Sequence, residues 1–130
     1  MQLFDSVSKW FSENPVMRRM RMMPRVEVNE QAVVRLRDAD DLNVVLLKDI
    51  SSGGACIRTD MRLRKADSVY LRVNAGTPDQ FDLTATIVAV RQGRAGFFTD
   101  YGLRLAEMNL DSARSLERFI ERRLRLDGAR

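Results

Sequence analysis

Two short patterns in this chain hold residue types suited to gripping a ligand rather than to breaking bonds. Arg21 and Arg25 are separated by Met22-Met23-Pro24, and Asp49, Ser51 and Gly54 take the first, third and sixth places of Asp49-Ile50-Ser51-Ser52-Gly53-Gly54. A guanidinium is a planar fork that can hold a phosphate or the edge of a guanine with two parallel bonds. An ionised Asp only accepts hydrogen bonds, whereas a Ser hydroxyl can donate or accept. Gly permits close approach of a backbone or base, or supplies a positive φ. Each pattern also has a plainer reading. An Arg pair at this spacing is expected by chance in so Arg-rich a chain, and Asp, Ser and Gly together commonly make a turn. Their order adds weight: the Arg pair stands just before the first strand, and the Asp-Ser-Gly element ends the next.

Other chemistry finds few groups. The chain has no His, which removes the commonest general base and a common metal ligand. Cys56, the only Cys, lies between Ala55 and Ile57 in an apolar run and is expected to be a buried, inert thiol. One Cys can form neither an internal disulfide nor a usual zinc site, which fits a reducing compartment. Asp38, Asp40 and Asp41 lack the Gly and distant Glu of a calcium loop. Gly53-Gly54 lacks the spacing and Lys-Ser/Thr ending of a phosphate loop. The expectation is therefore no catalytic residue, no metal site and no cofactor.

The net charge of +4 is unevenly placed. Residues 1–16 carry −1, residues 17–37 carry +4, residues 38–110 carry −1 and residues 111–130 carry +2. Lys occurs only at 9, 48 and 65, so nearly every base is Arg. The excess lies in one short arm holding Arg18, Arg19, Arg21 and Arg25, and in the C-terminal segment. A focused arm of this kind suits a compact anionic partner. Arg18 and Arg19 are candidates for added phosphate contacts, or solvated charge on the arm.

The elements that must position these residues follow from periodicity. Leu3, Phe4, Val7, Trp10 and Phe11 recur at helical spacing and predict a short amphipathic helix within residues 1–16, stopped at Asn14-Pro15. From Arg25 the period becomes two, in Val26-Glu27-Val28 and again in Val34-Arg35-Leu36-Arg37. Val44 to Leu47, Ala55 to Ile57, Val69 to Val73, Phe81 to Val90 and Tyr101 to Leu105 predict further strands, divided by polar or Gly-containing turns. Short strands at this density argue for a small barrel or sandwich. Ala113, Leu116, Phe119, Ile120 and Leu124 mark one face of a C-terminal helix, with Asp111 as its expected N-cap and Glu121–Arg125 as an i,i+4 pair. At 130 residues this is one domain: a helix over 1–16, an Arg arm over 17–25, a barrel over 26–106 and a helix over 110–126.

Taken together, Arg21-x-x-x-Arg25 and Asp49-x-Ser51-x-x-Gly54 resemble the PilZ family of cyclic di-GMP receptors. Arg25-Val26 opening a strand, the late Tyr101-Gly102-Leu103-Arg104-Leu105 and the helix with Phe119-Ile120 extend the likeness over about residues 18–124. The resemblance implies a mainly β fold: a six-stranded antiparallel barrel with a C-terminal α-helix, here preceded by the short N-terminal amphipathic helix. It implies a cyclic di-GMP ligand on the outer barrel surface, clasped by the arm. The expected contacts are Arg21, Arg25, Asp49, Ser51 and Gly54, with Arg18, Arg19 and Met20 beside them. Arg would answer phosphate or the O6/N7 edge of guanine, and Asp49 the N1–H and N2–H donors of its other edge. Family members often have Arg before the first motif Arg when they bind a stacked pair of ligands and a hydrophobic residue when they bind one, so Met20 points to one per chain, with Arg19 leaving a second copy open. The family's stacking residue on a later strand has Arg58, Arg72 and Arg91 as candidates by type.

The resulting expectation is a non-enzymatic receptor that relays second-messenger level to a protein partner controlling motility, adhesion, polysaccharide or virulence. That partner would meet the N-terminal helix or the barrel surface, and a homodimer is compatible with the same surfaces. Two alternatives stay open: an adaptor that binds proteins without nucleotide, and a small Arg-rich barrel for RNA or single-stranded DNA. Only nine aromatics and no aromatic-rich basic strand count against the latter, so no nucleic acid is expected. No apolar run approaches the roughly 20 residues of a membrane helix. Met1 to Asp5 does not begin a secretory signal, so a cytoplasmic location is expected.

Overall fold

In the computed structural model, residues 25–92, 97–106 and 108–128 are described. The predicted N-terminal helix and the arm residues Arg18, Arg19, Met20 and Arg21 lie outside the described residues. Six strands form a closed barrel in the order β1-β2-β3-β6-β5-β4, every pair antiparallel. They are β1 Arg25–Leu36, β2 Asn43–Ser51, β3 Gly54–Thr59, β4 Ser68–Val73, β5 Phe81–Gln92 and β6 Thr99–Leu105. One helix, α1 Leu110–Gly128, follows them. Closure leaves no unpaired sheet edge.

The period-two pattern sorts residues between core and surface. Val26, Val34, Leu47, Ile50, Ile57, Leu71, Leu83, Ile87 and Leu103 are fully buried and fill the barrel. The two alternating stretches near the start of the barrel join into the single strand β1. Its register with β2 shifts between Glu27 and Glu30, where Asn29 takes φ 51°. Asn tolerates this left-handed conformation better than most residues, and the bulge lets one strand curve around the barrel. Val44 is exposed, so the apolar run Val44 to Leu47 alternates between the two faces.

The helix α1 closes one barrel end with Leu116, Phe119 and Ile120, and the Phe119 ring meets Phe81 edge-on at 5.9 Å. Arg123 packs over Phe119 and pairs with Glu30 of β1. Two sequence expectations for this helix are corrected. Its cap is Asn109, whose Oδ1 accepts the Ser112 N–H at 2.8 Å, while Asp111 sits in the first turn. Leu124 is 46% exposed because the helix has by then run past the barrel. The expected Glu121–Arg125 pair is present at 3.9 Å with both side chains exposed. At the opposite end Leu63 is buried, and the Tyr101 hydroxyl accepts the Leu63 N–H at 3.0 Å while donating to the Met61 carbonyl at 2.8 Å.

Candidate functional site

The register places the motif residues on one outward patch. Val26 and Ile50 face each other and point into the core, so their neighbours Arg25, Glu27, Asp49 and Ser51 point outward. Arg25 is directly opposite Ser51, and Asp49 is opposite Glu27, which makes Arg25 and Asp49 diagonal neighbours on the same face. Asp49 and Gly54 stand at the two sides of the tight β2–β3 connection.

Asp49 is the unusual group. It faces outward yet is only 6% exposed, and its Oδ1 has no hydrogen-bond partner among the described residues. Burial pushes its carboxyl up from 3.8 to about 6, opposed by the positive charges of Arg25 and Lys48 and reinforced by Glu27 and Asp100. A buried acceptor without a donor is costly, and such atoms in a native fold call for an explanation.

Ser51 has a different role. Its buried hydroxyl accepts the N–H groups of Gly53 at 3.2 Å and Gly54 at 3.1 Å, and lies 3.4 Å from the Gly54 carbonyl. It therefore fixes the turn that sets Asp49 beside β3. Gly54 is buried and opens β3 opposite Arg104. Among the described glycines only Gly76 has a positive φ, so left-handed backbone is not what Gly54 supplies.

The patch continues across the barrel in two rows. Asp49 is opposite Cys56, Cys56 opposite Gly102, and Gly102 opposite Ala89. Cys56 and Ala89 are 0% and 1% exposed although neither belongs to the central core cluster. The Cys56 thiol is pushed up by burial and by the charges of Asp49 and Asp100, which makes it an inert wall. In the next row Arg58, Asp100 and Arg91 follow one another on β3, β6 and β5. Arg58 donates from Nε to Asp100 Oδ1 at 2.7 Å and from Nη2 to Oδ2 at 3.1 Å.

The register thus sorts the three Arg candidates. Arg58 and Arg91 share the outward face with Asp49. Arg72 lies on the far side between β1 and β5, held by Asp82 at 2.8 and 3.0 Å. Asp100 was not singled out in the sequence; its only signal is a charged residue inside the late strand, and its partner is 42 residues away. A groove of about 580 Å3 lies on Arg72's side, lined by Arg35, Tyr70, Arg72 and Asp82 among others. None of the described motif residues lines it, and its bases are engaged within it: Arg35 stacks on Tyr70 at 4.6 Å and Arg72 pairs with Asp82. Among the described residues no group of three His, Cys, Asp or Glu stands close enough to hold a metal.

The outer-face Arg–Asp–Ser–Gly patch thus stands on a six-stranded closed barrel capped by a helix. The PilZ domain profile matches residues 19–122, and the chain belongs to the PilZ domain family. No curated protein sequence matches significantly. Among solved structures, the chain is similar to the Bacillus subtilis inhibitor of motility MotI/DgrA, with TM-score 0.65 and 15% identity, covering 85% of this chain and 53% of that one. It is similar to the PilZ domain with c-di-GMP of YcgR from Escherichia coli, with TM-score 0.61 and 18% identity, covering 79% and 90%. It is also similar to the PilZ domain of CeSA from a cellulose-synthesizing bacterium, with TM-score 0.56 and 23% identity, covering 74% and 93%. At these identities the likeness is one of fold. The chain spans about half the length of MotI/DgrA and nearly all of the isolated PilZ domains.

Proposed function

We propose that this chain is a cyclic di-GMP receptor in which Arg21 and Arg25 grip the ligand and Asp49 reads a guanine. The carrying observation is Asp49: an outward-facing carboxylate, buried, with an oxygen that accepts nothing from the described residues. Guanine N1–H and N2–H are the donors such an oxygen lacks, and adenine presents no equivalent pair. Arg25, diagonal to Asp49, brings positive charge to the same patch for a phosphate or the O6/N7 edge. The YcgR domain of like fold is described with c-di-GMP, which supports the same ligand here.

In this reading Ser51 acts by shaping the turn, Gly54 by leaving room, and Arg58 with Asp100 borders the ligand on the β3–β6 side. Arg18, Arg19 and Met20 flank the arm, with one ligand per chain. The domain is a binding module that transmits occupancy to a protein partner, through the N-terminal amphipathic segment or the barrel surface. No described helix is long and apolar enough to cross a membrane. A cytoplasmic receptor is the setting we infer, because cyclic di-GMP is made and sensed there.

Calorimetric titration of the full chain with cyclic di-GMP and cyclic di-AMP tests the reading. Asp49→Ala is expected to weaken cyclic di-GMP more than cyclic di-AMP. Equal weakening would assign Asp49 to the turn and remove it from base recognition.

A further inference from the structure

The end of the barrel opposite α1 carries an apolar tip and a cluster of cations that nucleotide binding on the side wall does not use. The last rungs there are Gln92–Thr99 and Thr59–Thr99. Beyond them Phe97 is 76% exposed and Phe98 53% exposed, with Val90 also exposed one turn of the ladder below. Both Phe residues leave most of their surface in solvent, and neighbouring exposed apolar side chains of this size mark an interaction surface.

The β3–β4 connection brings charge to the same place. It must cross the ends of β6 and β5, because those two strands stand between β3 and β4 in the barrel. Tyr101 pins it at Met61 and Leu63, and the Ala66 N–H and Asp67 carbonyl pin it to Ile87 of β5. Ala66 holds φ 75°, a conformation costly for a non-Gly residue, so the path of this strap is tightly specified. Arg62, Arg64 and Lys65 are exposed on the strap, and none of the three makes an ion pair among the described residues. Asp67, two residues after Lys65, accepts the Arg64 backbone N–H at 2.8 Å. The carboxylates of the strap itself are Asp60 and Asp67, so its three bases outnumber them.

We propose that this barrel end docks on an anionic lipid surface, with Phe97 and Phe98 entering the headgroup boundary and Arg62, Arg64 and Lys65 meeting lipid phosphates. Charge and shape both point to this occupant. The apolar groups project beyond the last paired rungs, and the cations sit behind them on the strap, which is the order in depth that an interface presents. Phe carries no hydrogen-bonding handle, which suits an apolar boundary better than a polar partner. The face with Asp49 lies on the barrel wall, so a receptor docked by its end keeps its ligand site free; the proposal stands whether or not that site binds cyclic di-GMP.

Co-sedimentation of the full chain with phosphatidylcholine vesicles, with and without phosphatidylglycerol, tests it. Binding is expected only with phosphatidylglycerol and is expected to fall with salt. Each of Arg62→Ser and Lys65→Ser should lower partitioning by about fivefold, and Phe97→Ser with Phe98→Ser by about tenfold or more. All of these positions are exposed, so thermal unfolding and cyclic di-GMP titration of the variants should match the parent. No binding to anionic vesicles overturns the proposal, as does binding indifferent to the Phe substitutions. Capture of a single-stranded oligonucleotide that depends on Arg62 and Lys65, without vesicle binding, would instead assign the cations to nucleic acid.

Discussion

A carboxylate that is buried, outward-facing and unsatisfied is in a state that serves binding better than stability, and Asp49 makes this measurable. Its carboxyl is held at about 6 against an ordinary 3.8, chiefly by burial. A raised acid favours the protonated fold, so its stabilising contribution is fully present below about pH 4 and is lost as pH rises through about 6. Asp49→Asn should therefore be more stable than the parent at neutral pH, by at most about 3 kcal/mol, with the gap closing near pH 4.5 in denaturant titrations. Binding has the opposite sign: guanine donors need the ionised form, so cyclic di-GMP affinity should fall as pH drops below about 6 and should become flat in Asp49→Asn. A parent whose affinity is level across that range would show that Asp49 does not face the base. Ser51 answers to structure instead. Ser51→Ala leaves the Gly53 and Gly54 amides without their acceptor and should cost about 1–3 kcal/mol of unfolding free energy. If stability is unchanged and only affinity falls, the hydroxyl contacts ligand after all.

Among the elements, α1 is where burial and exposure divide most sharply. Phe119 closes the barrel against Phe81, whereas Leu124 on the next turns of the same apolar stripe stands in solvent. Phe119→Ala should cost about 3–5 kcal/mol and Leu124→Ala less than about 0.5 kcal/mol in thermal or denaturant unfolding. Comparable losses would mean that the helix extends its packing beyond the barrel, onto a partner or a second copy. The strands were legible because Val, Ile and Leu alternate with polar residues, and α1 because Leu116, Phe119 and Ile120 keep helical spacing. What was not legible depends on where elements end. Asn109 caps instead of Asp111 because the chain enters the helix two residues earlier, and a one-dimensional pattern contains both candidates. The β1 bulge at Asn29 is likewise invisible in a run that alternates on both sides of it.

For the whole molecule, the sequence order of Arg25, Asp49, Ser51 and Gly54 was enough to foresee that they share one region, because the two motifs flank consecutive antiparallel strands. It could not sort Arg58 and Arg91 from Arg72, since that division follows from the crossing of β3 to β4 over the β5–β6 hairpin. Asp100 was missed for the same reason: its pairing with Arg58 is a property of the barrel, not of any segment. Trp10, the only Trp, stands eleven residues before Arg21 in the sequence, so ligand capture by Arg21 is expected to alter its surroundings. Unchanged Trp emission and quenching on saturation would show that the surroundings of Trp10 do not respond to ligand. The central claim, that the arm and Asp49 together grip cyclic di-GMP, is tested most directly by calorimetry on the parent chain with Arg21→Ala, Arg25→Ala and Asp49→Ala. The account predicts one ligand bound per parent chain, with each variant folded but weakened by about 1.5–3 kcal/mol for every charge-assisted bond removed. Parent-like affinity in all three variants, or no binding by the parent, would contradict it.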